Sequence, residues 1–328
     1  MISKILAIRN DRFGEFLLNI PAFRELKQNY PGAKLTLAVD APVRQLAGRV
    51  NCVDEVIVWG GRKHTLAEIT KFSGLLKEKK YDLCAIFNPG KESHIISFIS
   101  GIPLRAGYDR KWGFLLNRRM EDRKSQGLKH EVEYNLELIK AIGVNTLSLR
   151  GSPPQAEDRS NLIDIKEDDF PDSRLAELGI KDRDVIAVHP WASNKEKEWP
   201  ADKFRELVKR INSDLRVSVV LIGGQEETQR AEKFRAGLNV VNVTGKTTLI
   251  ESAGLLKKAR FLVTNDSGPM HLAAAAGTPV IAIFRKYPPA VSARRWGPVG
   301  NNHIIIENDD ILRIGVEEVL DAIKRKIS

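Results

Sequence analysis

Cysteine is scarce in this chain of 328 residues, and several other features are missing altogether. Cys52 and Cys84 are too few for a disulfide framework or a metal-ligand cluster, so we expect buried or incidental thiols. No apolar run reaches the roughly 18–20 residues of a membrane-spanning helix. The N-terminal stretch 1–8 is too short, and too soon followed by charge, to be a signal peptide. These features predict a cytoplasmic protein.

The signatures of several functional classes are also missing. The six histidines show no H-E-x-x-H spacing, G-x-S-x-G does not occur, and no G-x-G-x-x-G follows the first predicted strand. These gaps argue against a metal site, a serine hydrolase and a dinucleotide-dependent dehydrogenase. For the same reason we expect no metal. No nucleic-acid-binding motif is present either, so we expect no nucleic-acid partner.

Positive charge is unevenly distributed. Residues 1–160 contain 26 Lys and Arg against 18 Asp and Glu, whereas residues 161–328 contain 26 against 24. A basic half favours an anionic partner, and nucleic acid, an anionic membrane surface and a phosphorylated substrate all fit. A charge that serves solubility alone is the other interpretation.

Apolar strand patterns alternate with helical patterns along the whole chain, which predicts an α/β fold with parallel sheets. A segment rich in Pro, Ser and acidic residues, 151–172, reads as a linker with one edge strand near 162–165. We therefore place one Rossmann-like domain at 1–160 and a second at 161–328, with the last helix packing back on the first domain. Two such domains facing a central cleft would bind ligands at the carboxyl ends of their strands.

The most distinctive pattern is the strand–turn–helix at 261–276, which contains Asn265-Asp-Ser-Gly-Pro-Met-His271. A helix N-terminus with free N–H groups suits a diphosphate, and Ser267 with Gly268 allows the backbone to approach it closely. The alternative is an ordinary N-cap formed by Asp266 or Ser267. That alternative leaves His271, on the first turn, unexplained.

Two further motifs follow predicted strands. The first, His189-Pro-Trp-Ala-Ser-Asn-Lys-Glu-Lys-Glu-Trp-Pro200, offers loop amides, a hydroxyl and lysines as a second wall for a diphosphate, or is simply a solvated charged loop. The second, Arg9-Asn-Asp-Arg-Phe-Gly-Glu15, leads into a helix. Glu15 there is a candidate general base or a partner of the helix dipole, and Asp11 is a competing carboxylate.

A basic segment, 105–130, mixes cations with the aromatic residues Tyr108, Trp112 and Phe114. This mixture suits nucleic acid or a phosphorylated, lipid-linked sugar acceptor. A Gly-Gly turn at 223–224 precedes acidic residues that could accept hydrogen bonds from a ribose or could simply begin a helix.

These motifs, in this order, resemble glycosyltransferase family 9, the ADP-heptose:lipopolysaccharide heptosyltransferase family. Arg9-x-Asp-Arg-x-Gly-Glu resembles the opening motif of the family, His189-Pro…Lys197-x-Trp-Pro its donor loop, and Asp266-Ser-Gly-x-x-His271 its D-[ST]-G-x-x-H signature. The resemblance covers nearly the whole chain. It implies a two-domain GT-B fold with the acceptor on the N-terminal domain, an ADP-sugar on the C-terminal domain, and inverting chemistry without a metal or cofactor.

The resemblance also implies residue roles. Glu15 takes the position of the general base, where the family usually has Asp. The residues assigned to the donor are Ser193, Lys197, Glu226, Thr247, Asp266, Ser267, Gly268 and His271. For the ribose contact, the resemblance leaves Glu227 as an alternative to Glu226. The residues assigned to the acceptor are Asp11, Arg12, Arg110, Lys111, Arg118 and Arg119.

The implied reaction moves a heptose from ADP-heptose to a lipopolysaccharide core or related glycan. The expected partners are a nucleotide sugar, an anionic glycolipid or phosphorylated glycan acceptor, and the inner face of the cytoplasmic membrane as a peripheral contact. The alternatives are a transferase with another nucleotide sugar or acceptor, a nucleotide-sugar epimerase, and a non-catalytic nucleotide-sugar-binding protein.

Overall fold

The chain forms two compact units, Met1–Gln155 and Ala156–Ser328. A computed structural model describes residues 1–60, 63–88, 90–144, 162–181, 184–215 and 217–327. The boundary between the units falls five residues before the expected one, inside the proposed linker, whose first half, 151–161, lies outside the described residues.

The first unit contains a six-stranded parallel sheet. Its strands are β1 Lys4–Arg9, β2 Lys34–Val39, β3 Glu55–Val58, β4 Leu83–Ile86, β5 Leu104–Tyr108 and β6 Arg118–Met120. They lie in the order β3-β2-β1-β4-β5-β6, and each neighbouring pair is parallel. The central strands are almost fully buried, as expected for a parallel sheet covered on both faces.

Helices connect these strands. They are α1 Phe13–Leu17, α2 Ile20–Asn29, α3 Arg44–Ala47, α4 Leu66–Lys79, α5 Lys91–Ile99 and α6 Glu131–Lys140. The pattern over 14–29 predicts one helix, whereas the structure has two, α1 and α2. Pro21 explains the break, because it has no N–H to donate and stands in the first turn of α2.

The second unit repeats this design. Its strands are β7 Val185–His189, β8 Ser218–Leu221, β9 Val241–Asn242, β10 Phe261–Asn265, β11 Val280–Arg285 and β12 Ile304–Asn308. They lie in the order β12-β11-β10-β7-β8-β9 and are also all parallel. In both units the chain builds three strands outward, returns to the centre and continues on the other side, which is the Rossmann order. The predicted fold class is confirmed.

The helices of the second unit are α7 Asp172–Glu177, α8 Ala201–Asp214, α9 Thr228–Arg235, α10 Leu249–Lys258, α11 Gly268–Ala275, α12 Ala293–Trp296 and α13 Val316–Ile327. The last helix, α13, buries Val319, Leu320 and Ile323 in one cluster with Phe204 and Leu207 of α8. Its apolar face is therefore covered within its own unit.

The edge strand predicted near 162–165 is wrong. These residues form no strand, and Leu162, Ile163 and Ile165 are buried. The Ile163 N–H donates instead to the carbonyl of Ala275 at the end of α11 (3.4 Å). The apolar side chains of this segment are buried without any pairing to the sheet, whose edges are β9 and β12.

Candidate active site

In the second unit, the chain reverses its direction of strand addition between β7 and β10, which are neighbours in the sheet. In open parallel sheets, ligands bind at the carboxyl ends of the strands at such a switch point. The loop 190–200 follows β7 and the turn Asp266–Ser267 follows β10. The two strongest sequence motifs therefore meet at this edge.

An ion pair joins the two motifs. Lys197 Nζ lies 2.6 Å from Asp266 Oδ2, with the Asp266 side chain buried and that of Lys197 one-fifth exposed. An ammonium has three protons, so Lys197 retains donors beyond the one directed at Asp266. A solvated charged loop would not hold its lysine in this way, so the structure favours the functional interpretation.

Asn265, the last residue of β10, fixes both ends of the same loop. Its side-chain oxygen accepts from the Trp199 N–H (3.0 Å), and its side-chain N–H donates to the Pro190 carbonyl (2.8 Å). The Trp199 indole is fully buried and donates to the Ile314 carbonyl (3.0 Å). The stem of the loop is therefore anchored, although Ser193 and Lys195 in its middle are exposed.

A chain of hydrogen bonds runs behind this edge to the start of α11. Glu227 Oε2 accepts from the Gly224 N–H (2.8 Å) and lies 3.3 Å from His189 Nε2. His189 Nδ1 lies 3.4 Å from Thr264 Oγ1, which is 2.9 Å from Ser267 Oγ. Ser267 is the N-cap residue of α11 but makes no side-chain cap hydrogen bond. Its hydroxyl is held by Thr264, so the ordinary capping role is wrong for Ser267.

Glu227 is the charged end of this chain. Although burial raises its pKa, the hydrogen bond and charge of His189 and the Gly224 N–H lower it further, so the pKa lies below the ordinary value. Glu227 is therefore ionised at neutral pH. Sequence reasoning did not distinguish it from Glu226, and the difference is spatial: Glu226 is exposed, whereas Glu227 turns inward to His189.

The remaining predicted donor residues lie in the same unit. Ser193 is exposed, Thr247 Oγ1 is 2.8 Å from Ser252 Oγ, and His271 is buried in the first turn of α11. Gly268 begins α11 directly beside Asp266. The loops that carry the predicted donor residues follow four adjacent strands, β10, β7, β8 and β9, and so share one sheet edge.

In the first unit, Arg9 lies at the corresponding switch point, at the end of β1. It is buried, its Nε lies 2.6 Å from Asp11 Oδ1, and its Nη1 donates to the Phe87 carbonyl after β4 (3.0 Å). Beside it, the Asn88 side chain donates to the side-chain oxygen of Asn10. Arg9 thus ties the loops after β1 and β4 together. The sequence indicates Arg9 only as a charged residue at the end of an apolar strand, and the sequence analysis assigned it no role.

Glu15 lies in the first turn of α1, with its side chain one-fifth exposed and Arg12 Nη1 at 3.9 Å. Burial raises the pKa of its carboxyl, and the cations Arg9 and Arg12 oppose that rise while Asp11 adds to it. The pKa lies above the ordinary value for glutamate. A partly exposed carboxylate with a raised pKa is a stronger proton acceptor, as a general base requires.

Lys124 is a second buried cation, and its burial was not predicted from the sequence. Lys124 Nζ binds Glu131 Oε1, donates to Asn135 Oδ1 (3.2 Å) and lies 4.2 Å from the centre of the Tyr108 ring. Burial lowers the pKa of Lys124 to about 8. The sequence analysis included Lys124 only as one cation of the basic segment 105–130, because a one-dimensional pattern gives no sign that an ion pair will be buried.

The sequence profile of glycosyltransferase family 9 (heptosyltransferase) matches residues 69–313. The chain belongs to glycosyltransferase family 9. It is therefore a glycosyltransferase, and the predicted family and enzyme class are confirmed.

Individual members of family 9 show how far the likeness extends. Lipopolysaccharide heptosyltransferase 2 of Escherichia coli is 28% identical over 86% of this chain and 82% of its own length. The solved structure of E. coli ADP-heptose lipopolysaccharide heptosyltransferase II superposes with a TM-score of 0.84 at 24% identity, covering 99% of this chain and 98% of the other. A family 9 structure from Veillonella parvula gives 0.85 at 20% identity, covering 99% and 97%. These structural matches support the fold.

The predicted acceptor residues of this family 9 chain do not form one cluster. Asp11 and Arg12 follow β1, whereas Arg118 and Arg119 lie on β6, three strands and about 14 Å away across the sheet. Arg110 and Lys111 follow β5. Arg110 Nε pairs with Asp122 (2.6 Å) and Arg119 Nη1 with Asp109 (3.7 Å). Their role in binding an acceptor stays a prediction.

Two structural features are absent from the described part of the chain. Within ranges 1–60, 63–88, 90–144, 162–181, 184–215 and 217–327, no helix is long and apolar enough to cross a membrane. The same ranges contain no group of three or more His, Cys, Asp or Glu placed to hold a metal ion. Metal-independent chemistry stays a prediction.

Proposed function

We propose that this glycosyltransferase moves a heptose from ADP-heptose to a lipopolysaccharide core or related glycan, with inversion at the anomeric carbon and without a metal. Family 9 membership and the likeness to enzymes named lipopolysaccharide heptosyltransferases support this substrate class. The observation that carries the proposal is the joining of the loop 190–200 and the Asp266-Ser-Gly turn at one switch point by the Lys197–Asp266 ion pair.

The donor side of the proposal rests on the charge at that edge. A diphosphate would meet the Lys197 ammonium, the N–H groups at the start of α11 and the Ser267 hydroxyl, all directed to the carboxyl edge of β7 and β10. These groups stabilise negative charge. They would therefore stabilise the leaving ADP as the bond between the anomeric carbon and the diphosphate oxygen breaks.

The acceptor side rests on Glu15. An acceptor hydroxyl oxygen would attack the anomeric carbon while its proton passes to the Glu15 carboxylate. The raised pKa of Glu15 makes it a better base than a fully solvated glutamate. Glutamate is one methylene longer than the aspartate usual in the family, so the acceptor hydroxyl would lie about 1 Å further from the helix backbone than in an Asp enzyme.

We further propose a cytoplasmic protein working at the inner face of the membrane, where a glycolipid acceptor would be presented. Both cysteines are free thiols, as in proteins of reducing compartments. The basic first unit would attract an anionic glycolipid.

A donor panel tests this function. Transfer from ADP-heptose, ADP-glucose, UDP-glucose and GDP-mannose to a lipid-linked core acceptor would be followed by mass spectrometry, with and without EDTA. We expect transfer from ADP-heptose that EDTA leaves unchanged. Glu15→Gln should lower turnover by about 10²–10⁴-fold while ADP still binds, because a general base contributes that much.

Four results would contradict the proposal. Preferred use of UDP- or GDP-sugars would reassign the donor. Release of a free sugar or its isomer in the absence of an acceptor would indicate epimerase chemistry. Binding of ADP-heptose without turnover on any acceptor would indicate a binding protein. Unchanged turnover in Glu15→Gln would remove Glu15 as the base.

A further inference from the structure

Three large aromatic side chains lie exposed on the first unit. Phe98 is 50% exposed in the last turn of α5, and Trp112 (44%) and Phe114 (68%) lie in the connection between β5 and β6. Single exposed apolar residues are ordinary on soluble proteins, but a contiguous group marks an interaction surface.

Specific contacts make these side chains neighbours. The rings of Trp112 and Phe114 stack with centroids 5.7 Å apart. The Arg105 guanidinium lies over the Phe98 ring at 5.3 Å, and its Nε donates to the carbonyl of Leu115 (2.9 Å). Arg105 therefore bridges the end of α5 and the connection. We call Phe98, Trp112 and Phe114 the aromatic patch.

Packing beneath the patch holds the connection against α5. A side chain at Gly107 would lie 2.9 Å from Leu116 and 3.5 Å from His94, so glycine allows this close approach. Leu116 and His94 are themselves buried. The aromatic patch is thus displayed by a packed structure.

Three cations lie near the patch in the chain, and one of them, Arg105, contacts it. Lys111 and Arg118 are exposed, and Arg105 is half-buried between Phe98 and Leu115. Lys111 adopts φ of +46°, a left-handed conformation that is uncommon for a non-glycine residue and is concentrated at functional positions. We call Arg105, Lys111 and Arg118 the cationic rim.

We propose that the aromatic patch and cationic rim dock this protein on an anionic phospholipid surface. Aromatic side chains favour the headgroup region of a bilayer, and Lys and Arg beside them attract anionic lipids. The inference rests on the proposed function in that a membrane-bound acceptor gives the docking its purpose. It names the surface involved.

Ring geometry favours lipid over single-stranded nucleic acid. Base stacking requires open ring faces. Here Arg105 lies over Phe98, while Trp112 and Phe114 stack on each other at an interplanar angle of 28°. Ile99, 49% exposed beside Phe98, adds aliphatic surface that suits lipid and cannot stack on a base.

Vesicle flotation of the full chain tests this proposal without donor or acceptor. Vesicles of phosphatidylcholine alone would be compared with vesicles containing about a third phosphatidylglycerol. We expect binding to the anionic vesicles that falls about tenfold in Trp112→Ser/Phe114→Ser. The matched control, Leu312→Ser, removes a side chain of similar exposure (59%) from the second unit and should bind like the wild type. Circular dichroism would verify that every variant is folded.

Charge-reversal variants distinguish an effect of the cationic rim from an effect of the protein's net charge. Lys111→Glu/Arg118→Glu should abolish the preference for anionic vesicles, whereas Lys209→Glu/Lys233→Glu, an equal charge change at exposed positions of the second unit, should preserve most of it. If both double variants lost this preference equally, the cationic rim would have no specific role and the attraction would come from the net charge alone.

Other outcomes are equally decisive. Absence of wild-type binding to anionic vesicles, or binding unchanged in Trp112→Ser/Phe114→Ser, would overturn the proposal. Binding of a single-stranded RNA oligonucleotide that this variant loses would reassign the patch to nucleic acid. A failed donor panel with intact vesicle binding would refute the proposed function alone, and the reverse result would refute the docking alone.

Discussion

Lys197 illustrates how one side chain can serve both the fold and the ligand. Its bond to Asp266 compensates the cost of burying that carboxylate, and its one-fifth exposure leaves the ammonium open to the sheet edge. Removing Lys197 should therefore both weaken a diphosphate contact and leave a buried carboxylate without this partner.

We predict that Lys197→Ala weakens ADP binding about tenfold to a hundredfold, since a charge-assisted hydrogen bond contributes roughly 1.5–3 kcal/mol. Lys195→Ala is the matched control, because Lys195 is exposed in the same loop two residues earlier. Isothermal titration calorimetry would measure both. Equal losses in the two variants would mean that the loop attracts ADP through general charge.

The pH dependence of turnover tests Glu15 directly. Its folded pKa is raised, so the basic form is lost as pH falls through that raised value, and kcat/KM should decline on the acidic side above the ordinary range for glutamate. Arg12 lowers this pKa from an exposed position, so Arg12→Gln should move the acidic limb to higher pH.

Arg44→Gln provides the control for this shift, because it removes an exposed arginine beyond β2. Steady-state rates across the pH range in both variants would measure the limb. If the acidic limb moved equally in both variants, or did not move in Arg12→Gln, the group that titrates in this limb would not be Glu15.

At the scale of elements, α6 carries two lysine–glutamate pairs in contrasting surroundings. Lys124 meets Glu131 at the buried start of the helix, whereas Lys129 meets Glu137 at the surface. Buried pairs are costly to break because the remaining charge is stranded, whereas exposed pairs contribute little.

We predict that Lys124→Met lowers the free energy of unfolding by about 3–5 kcal/mol. Lys129→Met should lower it by less than about 1 kcal/mol. Urea denaturation would measure both. Comparable losses would show that the buried pair stabilises the fold no more than the exposed pair does.

The Lys124 pair also predicts a pH dependence. Its folded pKa of about 8 lies below the unfolded value near 10.4, so between these values the unfolded state binds more protons. Stability from this group should therefore rise as pH increases from about 8 to 10.4. Lys124→Met should lose that rise, and retention of it would assign the slope to other groups.

The strands that the sequence predicted and those it missed differ in position. Patterns located the central strands β1, β4, β7 and β10, whose residues are buried on both faces and so read as continuous apolar runs. They also located β3, which lies at a sheet edge, but missed the other three edge strands, β6, β9 and β12.

Edge strands have one neighbour and a more exposed surface, so β6 and β9 lack that apolar run, whereas β12 has three consecutive isoleucines of which only Ile306 is buried. Strand β6 begins with Arg118 and Arg119, and β9 has two residues. The same limit applies to the site. Motif order predicted Lys197 and Asp266, but the chain from Glu227 through His189 and Thr264 to Ser267 joins three distant segments and has no one-dimensional signature.

At the scale of the whole molecule, the chain builds the same strand order twice and assigns different chemistry to the two switch points. The first has Arg9 with the carboxylates Asp11 and Glu15 nearby, and the second has Lys197 with the start of α11. This division agrees with a proton acceptor on one unit and an anion site on the other.

Hydrogen exchange should reveal this division when ADP is added. We expect the strongest protection in the peptides 189–200 and 264–271, with peptide 9–15 changed far less, because the groups that we propose for the diphosphate lie in the second unit. Mass spectrometry at saturating ADP would measure it, with Lys197→Ala as the control. Strongest protection in 9–15 would place the nucleotide on the first unit.

Asn265 has a further consequence for binding. Because one amide holds both Pro190 and Trp199, the segment between them is closed into a ring whose entropy is lost when the protein folds. A nucleotide bound as we propose would then meet a loop that is already ordered at both ends, and less of its binding energy would be consumed in immobilising the chain. Substitution of Asn265 would transfer that ordering cost from folding to binding, so loop mobility in the empty protein and nucleotide affinity would change together.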